Sequence, residues 1–189
     1  MRLLVVCTGN ICRSAAADRL LHAWAAGSLD VRSAGVRARD GWPVHPHTAA
    51  ALARLGVGTD GFASRRLSAA DAEWADLILT MTTDHRDAVL AVYPRGLRKV
   101  FTLREAAALS TVLPEDVEPA RLVTALAEAR SLHRGLVGAY DVVDPIDGPP
   151  DLHAEVVGQI SAALGTLLAV LGAGDAVRRP HLPPVPGAV

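Results

Sequence analysis

A small α/β domain is predicted, with a mostly parallel, twisted sheet of about four strands and helices on both faces. Two observations predict it. Short apolar runs alternate along the chain with longer stretches of helical character, the order in which strand–helix–strand units build a parallel sheet. The first run, Leu3-Leu4-Val5-Val6, stops at Thr8-Gly9-Asn10 and is followed by a strong helix former from Ser14 onward. The loop between them therefore lies at a strand's C-terminal end, where sheets of this kind bind ligands. With 189 residues, 50% hydrophobic and 21% charged, the chain suits one domain with a sizeable core.

In chain order, strands are expected at 2–6, 30–34, 76–81 and 98–102, and helices at about 14–26, 47–55, 68–75, 83–92, 119–134 and 151–172. The first helix has an Ala-rich start, Ser14 in a capping position and Asp18 in its early turns. Pro119 suits the first turn of the penultimate helix and Gly135 its stop. The last helix places Val156, Ile160, Leu164, Leu167 and Leu171 on one face, interrupted by Gln159, Ser161 and Thr166. That pattern predicts a packed amphipathic helix rather than a membrane anchor, although Arg178-Arg179 follows it. From about 175 to 189 the chain is Pro-rich and lacks periodicity, so residues 1–174 are read as the domain and 175–189 as a disordered tail.

A net charge of −1 and a pI near 6.6 leave no basic footprint for nucleic acid. Both cysteines, Cys7 and Cys12, lie in one loop, so no disulfide framework is expected. No charged-then-apolar leader opens the sequence, and a reducing cytoplasm is the expected setting. His22, His85, His133, His153 and His181 are scattered singly. His45-Pro46-His47 reads as a loop entering a helix; without Cys or acidic partners at zinc spacing, no metal site is expected there.

The chemistry concentrates in Cys7-Thr8-Gly9-Asn10-Ile11-Cys12-Arg13-Ser14. A helix N-terminus presents unpaired N–H groups and partial positive charge, and Gly9 and Asn10 can adopt the positive φ that curls further N–H groups inward. An oxyanion bound there is satisfied by backbone. Arg13 adds a planar fork able to hold two phosphate oxygens, a geometry that Lys cannot copy. The same positive field favours a thiolate at Cys7, with Ser14 in plausible hydrogen-bonding reach of the sulfur. The octet is thus a phosphate-binding loop after strand 1, with a nucleophile at its start.

Residues 5–14 resemble the signature of the low-molecular-weight protein tyrosine phosphatases. Ser33-Ala34-Gly35 is similar to the end of that family's second strand, Ala75-Asp76-Leu77-Ile78-Leu79-Thr80-Met81 to its third, and Asp144-Pro145 to the pair on its general-acid loop. The similarity runs in order over roughly residues 1–172. It implies a metal-independent and cofactor-free phosphatase that forms a cysteinyl-phosphate. Cys7 would be the nucleophile, and Thr8, Gly9, Asn10, Ile11, Cys12, Arg13 and Ser14 the phosphate cradle. Asp144 would be the acid and then the base, and Asn10 would hold the loop's shape by side-chain hydrogen bonds. From the residues alone, Asp141, Asp147 and Asp151 compete for the acid's role.

The implied partner is a phosphorylated protein, with a small phosphate ester or phosphoarginine as alternatives. Family members that prefer phosphotyrosine usually carry aromatics after the Asp-Pro pair, where this chain has Ile146-Asp147-Gly148-Pro149-Pro150. Ile146 and Trp42 are therefore the candidate substrate walls, and Arg37 and Arg39 candidate steering charges. Arginine phosphatases tend to have Thr in the place of Ile11. Arsenate reductases share the loop but relay a disulfide through downstream cysteines, which this chain lacks. A noncatalytic phosphate-binding module could discard Cys7 or the acid, and both are present. Cys7 and Cys12, close in one loop, could pair under oxidation.

Overall fold

The computed structural model describes residues 1–25, 29–132 and 141–171. The expected Gly135 stop, the tail from 175, His133 and His181 lie outside the described residues. Four parallel strands, β1 (Arg2–Cys7), β2 (Asp30–Gly35), β3 (Leu77–Thr80) and β4 (Val100–Thr102), form one sheet in the order β2-β1-β3-β4. Seven helices connect and cover them among the described residues: α1 (Arg13–Trp24), α2 (Pro46–Arg54), α3 (Ala69–Trp74), α4 (Thr83–Val92), α5 (Leu103–Ser110), α6 (Pro119–Leu132) and α7 (Pro150–Ala169). Strand order reverses about β1, so the chain leaves β1 toward β2 on one side and returns to β3 on the other. Such a switch point opens a crevice beyond the strands' C-terminal ends.

Alternation along β1 sorts the core into two layers. Leu3, Val5 and Cys7 face a large cluster with Leu20 and Leu21 of α1, Leu52 of α2, Leu103 of α5 and the apolar stripe of α7. Leu4 and Val6 face a smaller one built on Ala72 of α3 and Val89 of α4. Helices therefore cover both faces. Within α7, Val156, Ile160, Leu164 and Leu167 are buried as expected. This helix is long and apolar enough to cross a membrane, but it packs against α1, α2 and α5.

Several boundaries differ from the sequence reading. The expected strand at 98–102 is only 100–102, because Pro94–Arg98 forms a 3₁₀ turn that absorbs its first residue. Helix α5 has no counterpart in that reading, since eight residues show little periodicity. Its signal is nonetheless present as a capping box, Thr102 accepting from the Glu105 N–H while Glu105 accepts from the Thr102 N–H. Ser14 does not cap α1: the helix starts at Arg13, Cys12 occupies the cap without a side-chain bond, and the Ser14 hydroxyl faces Cys7.

Glu105 is buried and forms a forked ion pair with Arg130 of α6, at 2.8 and 2.9 Å. Arg130 also donates to the Val100 carbonyl and stacks its guanidinium over Phe101 at 3.8 Å. One side chain thus ties α6 to α5 and β4. Removing a single partner of a buried pair leaves the other charge stranded. Arg130→Ala is expected to destabilise the fold by about 3 kcal/mol in denaturant unfolding; a loss below about 1 kcal/mol would show that the pair contributes no more than a surface bridge.

Candidate active site

The loop between β1 and α1 is shaped by what its carbonyls do. The Cys7 carbonyl accepts from Val36 N–H at 2.9 Å, that of Thr8 from Arg37 N–H at 2.9 Å, and that of Ile11 from His45 N–H at 2.8 Å. In a trans peptide the C=O and the following N–H point in opposite directions. Pulling these carbonyls outward therefore turns the N–H groups of Thr8, Gly9 and Cys12 the other way, and among the described residues no backbone acceptor takes those of Gly9, Ile11 or Cys12. The result is a concave ring of donors at a helix N-terminus.

Asn10 locks this shape. It is buried with φ of +54°, a conformation Asn tolerates better than most residues. Its Nδ2 donates to Ser14 Oγ at 2.9 Å and Ser33 Oγ at 3.0 Å, and its Oδ1 accepts from Arg65 N–H at 2.9 Å. Gly9, by contrast, does not have a positive φ. Because Ser14 Oγ already accepts from Asn10, its own hydrogen is available for Cys7 Sγ at 2.9 Å, a shorter contact than the 3.4 Å to the Ala34 carbonyl. Asn10 N–H donates to the same sulfur at 3.3 Å. Two donors thus converge on a buried Sγ.

Gly35, at the end of β2, is where the loop and the sheet touch. A Cβ there would stand 2.6 Å from the Thr8 carbonyl oxygen and 2.8 Å from Asn10 N, so only glycine fits.

Arg13 is buried at the start of α1. It donates from Nη1 to the Val142 carbonyl at 3.0 Å and from Nη2 to Thr8 Oγ1 at 3.2 Å, and it pairs with Asp144 through Nη2. Its Nε is buried without a hydrogen-bond partner among the described residues. Val142 N–H in turn donates to the Met81 carbonyl at 2.8 Å, which fastens the 141–149 loop to the end of β3.

Asp141 is tied up at the start of α4, accepting from Thr83 N–H at 2.8 Å, and Asp151 sits in the first turn of α7. Of the four candidate acids, only Asp144 lines the cleft over the loop. That cleft, of about 480 Å³, is also lined by Thr8, Arg13, Val36, Arg37, Thr82, Asp84, His85 and Ala88. Trp42 and Ile146 are exposed and are not among its lining residues. Arg37 lines the cleft, whereas Arg39 lies 6.0 Å from the Trp42 ring centroid.

His85 is the residue that sequence reasoning missed. It sits in the first turn of α4, with Nε2 2.8 Å from Thr8 Oγ1 and Nδ1 2.8 Å from Thr82 Oγ1. Burial, reinforced by the Arg13 charge, pushes its pKa down to about 4, against the opposing pull of Asp144, Asp141 and Asp84. A His three residues after a capping Thr was the only local signal, and it does not point to a contact 77 residues away. Cys12 is also buried, and desolvation pushes its thiol up to about 12. Both thiols are free.

The histidines are not all isolated. Cys12, His45 and His153 bring a sulfur and two ring nitrogens within 4.8 Å of one another. No Cys stands at zinc spacing from His45 in the sequence; the fold brings these neighbours from loop and helix positions 33 residues before it and 108 after it in the chain.

Residues 2–118 match the family described as low molecular weight phosphotyrosine protein phosphatase. A protein-arginine-phosphatase of Geobacillus stearothermophilus is 36% identical over 104 residues, 55% of this chain and 70% of that protein. The low molecular weight protein-tyrosine-phosphatase Etp of Escherichia coli K12 is 43% identical over 101 residues, 52% and 68% of the respective chains. Among solved structures, a low molecular weight protein tyrosine phosphatase from Bacillus subtilis superposes with a TM-score of 0.69 at 28% identity, covering 95% of this chain and 100% of its own. The YwlE arginine phosphatase from G. stearothermophilus gives a TM-score of 0.69 at 25% identity, covering 94% and 97%.

Two outcomes test this geometry. Gly35→Ala should push the Thr8 peptide out of place, destabilising the fold by about 1–3 kcal/mol and weakening phosphate binding by calorimetry; unchanged phosphate affinity would show that the loop tolerates the intrusion. His85 is held neutral, so the unfolded chain binds a proton more readily than the folded one between about pH 6.5 and 4. Its contribution is fully present above about pH 6.5 and is lost as pH falls toward 4. The melting temperature should therefore drop over that window, and His85→Gln should flatten the drop; an equal slope in the variant would remove His85 as its source.

Proposed function

Because the chain belongs to the low molecular weight phosphotyrosine protein phosphatase family, we propose that it hydrolyses phosphate monoesters through a cysteinyl-phosphate, without a metal ion, and that protein phosphotyrosine is its substrate class. The observation that carries this reading is the convergence of Ser14 Oγ and Asn10 N–H on Cys7 Sγ, in the same loop that bears the buried Arg13 and backbone N–H groups with no backbone acceptor among the described residues.

In the first step the Cys7 sulfur attacks phosphorus, an S–P bond forms and the P–O bond to the leaving group breaks. Asp144 gives its proton to the departing oxygen. Arg13, through Nε and a fork freed from Asp144 as the acid protonates, and the backbone donors hold the nonbridging oxygens as their charge develops. In the second step water attacks the phosphocysteine, Asp144 takes the water's proton, and phosphate leaves as the thiolate is restored. Fixed donors supply the neutralising charge in both steps, so no metal is required. A reducing cytoplasm suits a nucleophile that must stay a free thiol.

Phosphoarginine is the second reading. It is favoured by the cleft lining, where Asp84 offers a carboxylate to a guanidinium and neither Trp42 nor Ile146 supplies a wall for a phenyl ring. It is also consistent with the similarity to two protein-arginine-phosphatases.

Turnover of phosphotyrosine, phosphoarginine and small-ester substrates by metal-stripped protein tests both readings. Cys7→Ser should abolish turnover while retaining phosphate binding, and near-normal rates would remove the covalent mechanism. Arg13→Lys should cost at least about 100-fold in kcat. Asp144→Ala should slow esters with poor leaving groups by about 10²–10⁴-fold and activated aryl esters far less; a uniform loss would move the acid to another residue. Faster turnover of phosphoarginine than of phosphotyrosine would select the second reading.

A further inference from the structure

Cys12, His45 and His153 form a second cluster of ligating side chains, distinct from the cleft and unused by the hydrolytic steps. Their sulfur and ring nitrogens lie within 4.8 Å of one another, with Cys12 and His153 buried and His45 half-buried. His153 is fully enclosed, and its Nε2 makes no hydrogen bond of good geometry among the described residues, although the Pro145 backbone lies close to the ring. Its other nitrogen, Nδ1, is fixed at 2.8 Å from Thr48 Oγ1. A buried ring nitrogen without a well-formed hydrogen bond, on a ring oriented through its opposite nitrogen, is how proteins present imidazole to a metal.

We propose that Cys12, His45 and His153 form a binding site for a divalent ion of the zinc class. One thiolate and two imidazoles are the donor set such borderline-soft ions prefer. Metal–ligand lengths of about 2.0–2.3 Å place tetrahedral donors about 3.3–3.8 Å apart, so the three atoms close by up to about 1.5 Å. Because the His45 and His153 rings stack at 4.6 Å and 10° and an imidazole lone pair lies in its ring plane, the half-buried His45 ring also turns out of the stack on binding. On binding, the Cys12 thiol releases its proton to solvent. His45 gives up a long contact, because its Nδ1 now accepts from His47 N–H at 3.3 Å. Either ring nitrogen has that consequence: Nδ1 directly, Nε2 because the ring proton must then move to Nδ1. The fourth position falls to water or to exposed His47, whose ring centroid is 5.3 Å from that of His45 and 5.4 Å from that of His153.

An occupied site would cross-link the loop before α1, the start of α2 and the first turns of α7, three segments distant in sequence. Metal binding here is independent of the phosphatase reading, since it asks nothing of Cys7 or Asp144.

The experiment adds Co²⁺, then Zn²⁺, to reduced, metal-stripped protein and follows thiolate-to-cobalt absorption and melting temperature. One equivalent of Co²⁺ should give the charge-transfer band in both wild type and Cys7→Ser, and Zn²⁺ at a hundredfold excess over Kd should raise the melting temperature of both by about 5 °C. Cys12→Ser should lose both signals. Should that buried substitution prevent folding, His45→Ala, at a half-exposed helix start, should lose them instead. A band that survives in Cys12→Ser or His45→Ala but vanishes in Cys7→Ser would place the metal on the nucleophile and overturn the site. Absence of a band and of a thermal shift in wild type would overturn it equally.

Discussion

Backbone carbonyls of Cys7, Thr8 and Ile11 are fixed by N–H donation from Val36, Arg37 and His45. A strand-to-helix turn left to itself has no reason to aim its donors inward, since carbonyl and N–H alternate along any chain. Here the segment after β2 acts as a template, and Asn10 in the left-handed region completes the turn with three side-chain hydrogen bonds. Glycine at 35 is the condition for the close approach of template and loop. The donors are thereby fixed before any anion arrives, so little reorganisation is asked of them when charge develops in a bound phosphoryl group.

The same economy governs the cleft. The sheet's order places the ends of β1, β2 and β3 around one crevice, so each of those strands delivers its next loop or helix start to the lining: Thr8 and Arg13 after β1, Val36 and Arg37 after β2, Thr82 and His85 after β3. His85 links two of these segments through Thr8 and Thr82, and its burial near the Arg13 guanidinium keeps it neutral, able to share hydrogen bonds without adding positive charge. The loop that carries Asp144 is secured from both ends of the contact, by Met81 through the Val142 N–H and by Arg13 through the Val142 carbonyl.

Cys12 faces a different neighbourhood from Cys7, although only five positions separate them. Sulfur at Cys7 receives donors from its own loop, whereas Cys12 is buried beside Thr48, His45 and His153, where desolvation dominates its titration. One loop therefore holds two buried thiols in different settings, one among its own hydrogen-bond donors and the other beside side chains of the neighbouring helices.

The sequence by itself determined the strands and most helices, because burial periodicity, Pro at first turns and the glycine-bearing strand end are local signals. It also pointed to Cys7 and Arg13 as the proposed nucleophile and fork, since a Cys and an Arg are spaced there across a strand–turn–helix, and the similarity to a known signature pointed to Asp144. Helix α5 was legible only as a capping box, too short for its periodicity to register. Tertiary structure alone showed which of the four aspartates lines the cleft, what His85 contacts, the exposure of Trp42 and Ile146, and the meeting of Cys12 with His45 and His153. Each of these depends on side chains many tens of residues apart, brought together by a sheet whose order reverses at β1, and no local pattern encodes a distance of that kind.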